Sequence, residues 1–249
     1  MRKVLVVLGV GVLSFPLLFV IWLLLAVRLP KMDALTMQMP MSVRSIVANA
    51  AAGEMGWGKG AKPKLERVIR IDPQNASAWT GLCESYFGGP ERSADVQTCQ
   101  KAVTLDPTAG NYNGLGVAQE RAGDNCAAED AYTEAASKAS SSGSYGYTER
   151  MGRAALLCGK AYDARAGFEA AIDVEKRQLA APDADDDEDE VADEKQDLLT
   201  DREYLIVTAN RLSDRKLAET TCSEAHPGWK GCACSLDAKG KVACAEAVR

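Results

Sequence analysis

The chain has 249 residues, of which 47% are hydrophobic, with a formal net charge of −6, eight cysteines and a single histidine. That length allows a sizeable core or a repeat array, and the charge balance offers no basic aromatic surface for nucleic acid. Because His226 is the only histidine, no Ser-His-Asp set with a second base can be assembled, and neither a phosphate-cradling glycine loop nor a Cys-x-x-Cys-His haem attachment occurs. The expectation is a protein that is not an enzyme, with no cofactor and no small-molecule substrate.

At the amino end, Val4 to Val27 form an apolar run of 24 residues without a charge, preceded by Arg2 and Lys3 and closed by Arg28. As a helix this run would cross about 30 Å of hydrocarbon, even bent at Pro16. A cleaved signal would have an apolar core of roughly 7 to 15 residues and a small-residue exit, whereas the exit here is Ala26-Val27-Arg28-Leu29-Pro30. Residues 1–29 therefore read as an uncleaved, single-pass signal anchor contacting the lipid bilayer. Arg2 and Lys3 on one side nearly balance Arg28, Lys31 and Arg44 on the other, so charge alone does not orient it. Residues 30–41 carry Met32, Met37, Met39 and Met41. Thioethers can hold copper(I), but no histidine or cysteine stands beside these, and a flexible linker is the expectation.

From residue 42 the chain repeats itself at a spacing of about 34 residues, the period of a helix-turn-helix unit. One copy reads Trp79, Leu82, Cys83 and Tyr86, then Cys99, Ala102 and Pro107. The next reads Tyr112, Leu115, Gly116, Gly123, Ala128, Tyr132 and Ala135, and the third Met151, Gly152, Gly159, Ala164, Phe168 and Ala171. A weaker copy from about Ser42, with Gly56, Ala61, Leu65 and Val68, lacks the bulky pair in its first helix. Small residues at these steps let paired helices approach, the aromatics fill the space between pairs, and Asp72-Pro73 and Asp106-Pro107 stop helices. Residues 42–180 resemble the tetratricopeptide repeat family, of the membrane-anchored bacterial periplasmic type. The resemblance implies an all-α fold: a right-handed superhelical solenoid of helix pairs, here with an amino-terminal transmembrane helix and a small cysteine-rich carboxyl-terminal hairpin.

The repeat register that the resemblance supplies places Cys83 level with Cys99 across one helix pair, and Cys126 at the start of a helix beside the end of the helix carrying Cys158. Two disulfides are the expectation, which would put the repeats in an oxidising compartment, periplasmic or extracellular, with the amino terminus cytoplasmic at the inner membrane. The family's concave face, lined by first helices, would contain Thr80, Glu84 and Phe87, then Asn113, Val117, Glu120 and Arg121, then Glu149, Arg153 and Leu156. This face lacks the lysine- and asparagine-rich clamp that relatives use on a carboxyl-terminal carboxylate. Arg121 and Arg153 could still take one acidic group.

Asp183 to Glu194 hold nine carboxylates in twelve positions, and without them the chain would be net positive. Residues 181–195 read as a solvated acidic loop, with no turn glycine to favour calcium. Residues 196–220 are amphipathic, consistent with one capping helix or a helix pair closing the solenoid. Residues 221–249 contain Cys222, Cys232, Cys234 and Cys244, with a turn signal at Asp237-Ala-Lys-Gly240 that predicts a hairpin. Disulfides would hold so small a unit, their connectivity open. A zinc site from His226 and these cysteines lacks paired Cys-x-x-Cys spacing, and no metal is expected.

The functional expectation is a membrane-tethered, outward-facing adaptor that binds protein or peptide partners in envelope assembly, translocation or maturation. The alternative is a thiol-disulfide or metal-handling factor using the carboxyl-terminal cysteines.

Overall fold

The computed structural model describes residues 20–22, 24–26, 29–53, 61–86, 93–139, 145–180 and 188–247. Most of the expected anchor, Phe87 and residues 181–187 of the acidic stretch lie outside them. Among the described residues, no helix is long and apolar enough to cross a membrane. The chain divides into two compact units, Met1–Asp106 and Pro107–Arg249.

In the first unit, a 3-10 turn at Pro30–Met32 leads into α1 (Asp33–Thr36), α2 (Met41–Gly53), α3 (Ala61–Ile71), α4 (Ala76–Ser85) and α5 (Ser93–Leu105). Consecutive helices from α2 to α5 pack on one another. Their core holds Val47, Ala48, Leu65, Val68, Ile71, Ala78 and Leu82, so the weak upstream copy is a genuine helix pair despite its missing bulky residues. Ala26 is buried in the same core, with Trp22 and Met32 packed against it. Arg67 locks this corner: its Nη2 donates to the Ala26 carbonyl at 2.8 Å and to Asp33 Oδ1 at 2.8 Å. Two expectations change accordingly. Residue 29 does not separate the apolar run from the repeats, and residues 30–41 are not a loose spacer, because a largely buried ion pair and the fully buried Thr36 hold them.

The second unit contains α6 (Ala109–Ala122), α7 (Asn125–Lys138), α8 (Tyr145–Cys158), α9 (Ala161–Ala180), α10 (Glu188–Arg211) and α11 (Arg215–Ala225), then β1 (Cys232–Leu236) and β2 (Val242–Glu246). The helix starts follow capping chemistry: Thr108, Asp124 and Asp214 each accept a hydrogen bond from the backbone N–H three residues on. Gly123 ends α6 at φ +86°, a left-handed conformation that costs a side-chain-bearing residue energy. A methyl group on Gly116 would stand 2.5 Å from the Tyr132 ring, and one on Gly167 would stand 2.7 Å from the Gly152 backbone. Glycine is thus what lets α6 meet α7 and α8 meet α9.

Beyond α9 the structure revises two boundaries. Glu188 to Lys195 are helical and belong to α10, although the carboxylate run reads as a loop. Acidic residues in a first helical turn face unpaired N–H groups and are stabilised there, so the run opens a helix. The segment expected as a cap is the pair α10 and α11, and α11 continues past residue 220 to carry Cys222.

The hairpin pairs Cys232 with Glu246 through Leu236 with Val242, antiparallel. Asp237 Oδ1 accepts from the backbone N–H groups of Lys239 at 2.8 Å and Lys241 at 2.9 Å, forming the turn read from the sequence. These amides hold the Asp237 carboxyl below the usual carboxylate range.

Candidate partner-binding surface

The first helices of the second unit, α6 and α8, bring together a charged set. Glu149 and Arg153 lie one turn apart on α8, and Arg153 Nη1 donates to Glu149 Oε1 at 3.2 Å. The other guanidinium nitrogen lies 3.9 Å from Glu120 Oε1 on α6. Glu120 in turn accepts from the Tyr132 hydroxyl at 2.9 Å. Burial, with the Glu120 charge beside it, pushes the Tyr132 hydroxyl far above its ordinary value, so it stays a donor at any physiological pH.

A third helix packs beneath this surface. Tyr204 of α10 stacks on Phe168 at 5.2 Å and 4°, and the Arg153 guanidinium sits 5.9 Å from the Tyr204 ring centre. The Tyr204 hydroxyl donates to the Gly240 carbonyl at 3.0 Å, tying the hairpin turn to α10. Asp201, one turn earlier and 1% exposed, faces Glu149, Glu175 and Asp197 with only Arg153 in opposition. Burial and these like charges raise its pKa from 3.8 to about 9, leaving it neutral at pH 7. Burial also raises Glu149, opposed by Arg153. Burial works against the Arg153 charge, yet Glu149, Tyr204 and Glu120 hold it in place.

The expected concave-face residues therefore divide. Asn113, Glu120, Arg121, Glu149 and Arg153 are half-buried on α6 and α8. Val117 packs on the cluster of Ala128, Tyr132 and Ala154. Leu156 is 1% exposed and belongs to the core with Ala155, Ala164 and Phe168, so it does not face a partner. In the first unit, Glu84 is exposed and Thr80 half-buried on α4. Arg153 is engaged by two carboxylates, which disfavours its taking a partner's acidic group. Tyr204 and Asp201 went unread because the long α9 and the acidic start of α10 break the repeat spacing. No local signal in the sequence marks them.

The cysteines resolve fully. Cys83 is bonded to Cys99 and Cys126 to Cys158, the pairings implied by the repeat register. The four left open pair as Cys222 with Cys232 and Cys234 with Cys244, and none is free. His226 Nε2 is 3.0 Å from Glu203 Oε1, and its ring stacks on Trp229 at 3.9 Å. Asn75, in the sequon Asn75-Ala-Ser77, is 7% exposed and caps α4 through its side-chain oxygen, so it is spoken for structurally. An open cleft of about 730 Å³ lies beside the Cys222–Cys232 bond, lined by Ile206, Asn210 and Trp229 among others.

No protein-family model and no curated protein matches the sequence. Among solved structures, the chain is similar to YrrB, described as a TPR protein with an unusual peptide-binding site. The TM-score is 0.54 at 13% identity, over 76% of this chain and 88% of that one. MamA aligns at a TM-score of 0.47 and 17% identity, covering 76% of this chain and 95% of its own. The pilF protein of Pseudomonas aeruginosa aligns at 0.42 and 17%, covering 76% and 92%. The likeness to YrrB concerns the fold: helix pairs of tetratricopeptide type.

Proposed function

We propose that this chain of tetratricopeptide-type fold is a membrane-tethered, outward-facing adaptor, holding a protein or peptide partner against the first helices of its repeats and performing no catalysis. The observation that carries the binding reading is the surface of α6 and α8, where Glu120 and Glu149 stand among Arg121, Arg150 and Arg153, a set mixed in charge with Arg153 already paired. Such a mixed surface favours a partner segment that itself carries both signs of charge over a uniformly acidic or basic one.

Two features support the tether. The apolar run Val4–Val27 has the length of a span. Val20, Ile21, Leu24 and Leu25 at the end of this run, and Leu29, Leu35, Met37, Met39, Met41 and Ile46 after it, are all exposed, ten of the twelve exposed large apolar residues among those described. Exposed apolar side chains concentrated at the end of an apolar run suit a bilayer surface. Four disulfides suit an oxidising compartment, periplasmic or extracellular, with the amino terminus cytoplasmic. Because the cysteines are all bonded, the adaptor reading is favoured over a resting thiol-disulfide factor.

The test is photo-crosslinking in intact cells, with the reactive group placed at Asn113 on α6 or at the exposed Tyr162 on α9. A defined partner captured from position 113, not from 162, and lost on Glu120→Lys supports the reading; equal capture from both positions sinks it. Protease added outside permeabilised envelopes is expected to cut the repeats while the amino terminus stays protected. The reverse pattern overturns the topology.

A further inference from the structure

We propose that Glu203, His226, Cys234 and Cys244 form a redox-gated metal site, closed while the two cysteines are bonded to each other and able to take one zinc-class divalent ion once a dithiol opens that bond. The ligand atoms of Glu203, His226 and Cys244 lie within 4.8 Å of one another. They come from α10, the end of α11 and β2, and all three residues are half-buried. Cys234 stands directly opposite Cys244 in the hairpin and is bonded to it, so its sulfur lies one bond from that of Cys244. A tetrahedral ion with metal–sulfur bonds of about 2.3 Å and metal–nitrogen bonds of about 2.0 Å spaces its donors roughly 3.3–3.8 Å apart. Glu203 and His226 already stand at 3.0 Å, and the two sulfurs would part from their bond to that spacing. Two thiolates, an imidazole and a carboxylate suit zinc or cobalt.

Part of the supporting shell is already built: the His226 ring is oriented by its stack on Trp229. The hairpin does not depend on the Cys234–Cys244 bond alone. The Cys222–Cys232 bond ties the start of β1 to α11, the Tyr204 hydroxyl holds the Gly240 carbonyl, and Val242 is 6% exposed. Opening the bond therefore leaves the Cys244 sulfur near His226 and that of Cys234 on the facing strand. No Cys-x-x-Cys spacing marks the site, because the hairpin register supplies across two strands what that motif supplies along one segment.

The chemistry balances without a further reactant. The dithiol gives two electrons and two protons: its own S–H groups become one S–S bond, the Cys234–Cys244 bond breaks, and two thiols form. On metal binding both thiol protons leave to solvent, and two thiolates, neutral His226 and the Glu203 carboxylate surround the ion. Bonded sulfurs carry no negative charge and are poor donors, so the oxidised protein lacks two of its four ligands.

The full chain in detergent micelles is titrated with cobalt(II) before and after graded dithiothreitol treatment and removal of the reductant, with alkylation and peptide mapping to identify the opened bonds. The oxidised chain is expected to show no thiolate-to-cobalt absorption. Once Cys234–Cys244 is open, one equivalent of cobalt should give that absorption and be displaced by one equivalent of zinc. His226→Ala and Glu203→Gln should each weaken binding by more than about tenfold, the least that even outer-shell partners contribute. Equal binding by the oxidised chain, no binding by the opened chain, unchanged affinity in both variants, or loss of the helical circular dichroism before the bond opens would each overturn the proposal.

Discussion

The helix pairs of the second unit and the hairpin that ends it are held by opposite means. Between α6 and α9 the chain relies on close approach: Gly116 lies under the Tyr132 ring, Gly152 under Phe168, and Ala128, Ala135, Ala164 and Ala171 are fully buried. The hairpin has little core of its own. Val242 is its one residue below 10% exposure on either strand, and two disulfides each span a separation of 10 residues there. Helices that bury a continuous stripe gain dispersion and apolar burial together. A five-residue strand pair cannot, so covalent bonds limit its unfolded states instead. The lesson is that the same bond serves two ends: Cys126–Cys158 cross-links helices that already pack on each other, while Cys234–Cys244 cross-links two short strands with little core of their own.

The sharpest way to break the comparison is Gly167→Val. The new side chain would meet backbone atoms of Gly152, which cannot swing aside, so α8 and α9 must separate. A loss of about 3 kcal/mol is expected, at the top of the range for overpacking, read by urea unfolding followed by circular dichroism. A loss under about 1 kcal/mol would show that this interface yields.

Paired cysteine removals come next. Cys126→Ala with Cys158→Ala opens a separation of 32 residues, and Cys234→Ala with Cys244→Ala one of 10. Chain entropy gives roughly 4 and 3 kcal/mol respectively. The contrast lies in where the loss appears: the first pair should lower the global helical melt, the second should speed amide exchange in 232–246 with little change in the helices. Identical exchange patterns would refute the distinction.

A third test uses pH. Asp201 is held neutral by burial and by Glu149, Glu175 and Asp197, with only Arg153 opposing, and its pKa of about 9 stands above the ordinary 3.8. The unfolded chain then releases this proton near pH 4 and the folded chain near pH 9. The contribution is complete below pH 4 and is lost progressively as pH rises to about 9. Asp201→Asn should raise the melting temperature at pH 8 and flatten the fall between pH 5 and 9. A variant that melts lower than the parent at pH 8 would contradict this assignment.

The smallest effect is expected at the turn, where Asp237→Ala removes the acceptor for the Lys239 and Lys241 amides. Hydrogen exchange at those two amides should quicken while the strands, held by their disulfides, keep their protection.

The sequence by itself determined the helix pairs from residue 61 to 180, the Cys83–Cys99 and Cys126–Cys158 bonds and the Asp237 turn. Each rests on local or periodic chemistry: a repeat register, capping residues and a turn glycine act over a few residues and can be read in one dimension. Only the tertiary structure decided the rest. Leu156 sits one turn from Arg153 and looks equally able to face a partner, but the packing of α9 and α10 buries it. The Ala26 carbonyl is held by Arg67, 41 residues away, and no spacing rule connects them. Asp201, Tyr204 and the meeting of Glu203, His226 and Cys244 arise where α10 returns after an acidic insertion of irregular length. Convergence of side chains from separate elements depends on how helices pack, and that packing sums contacts that no local pattern records.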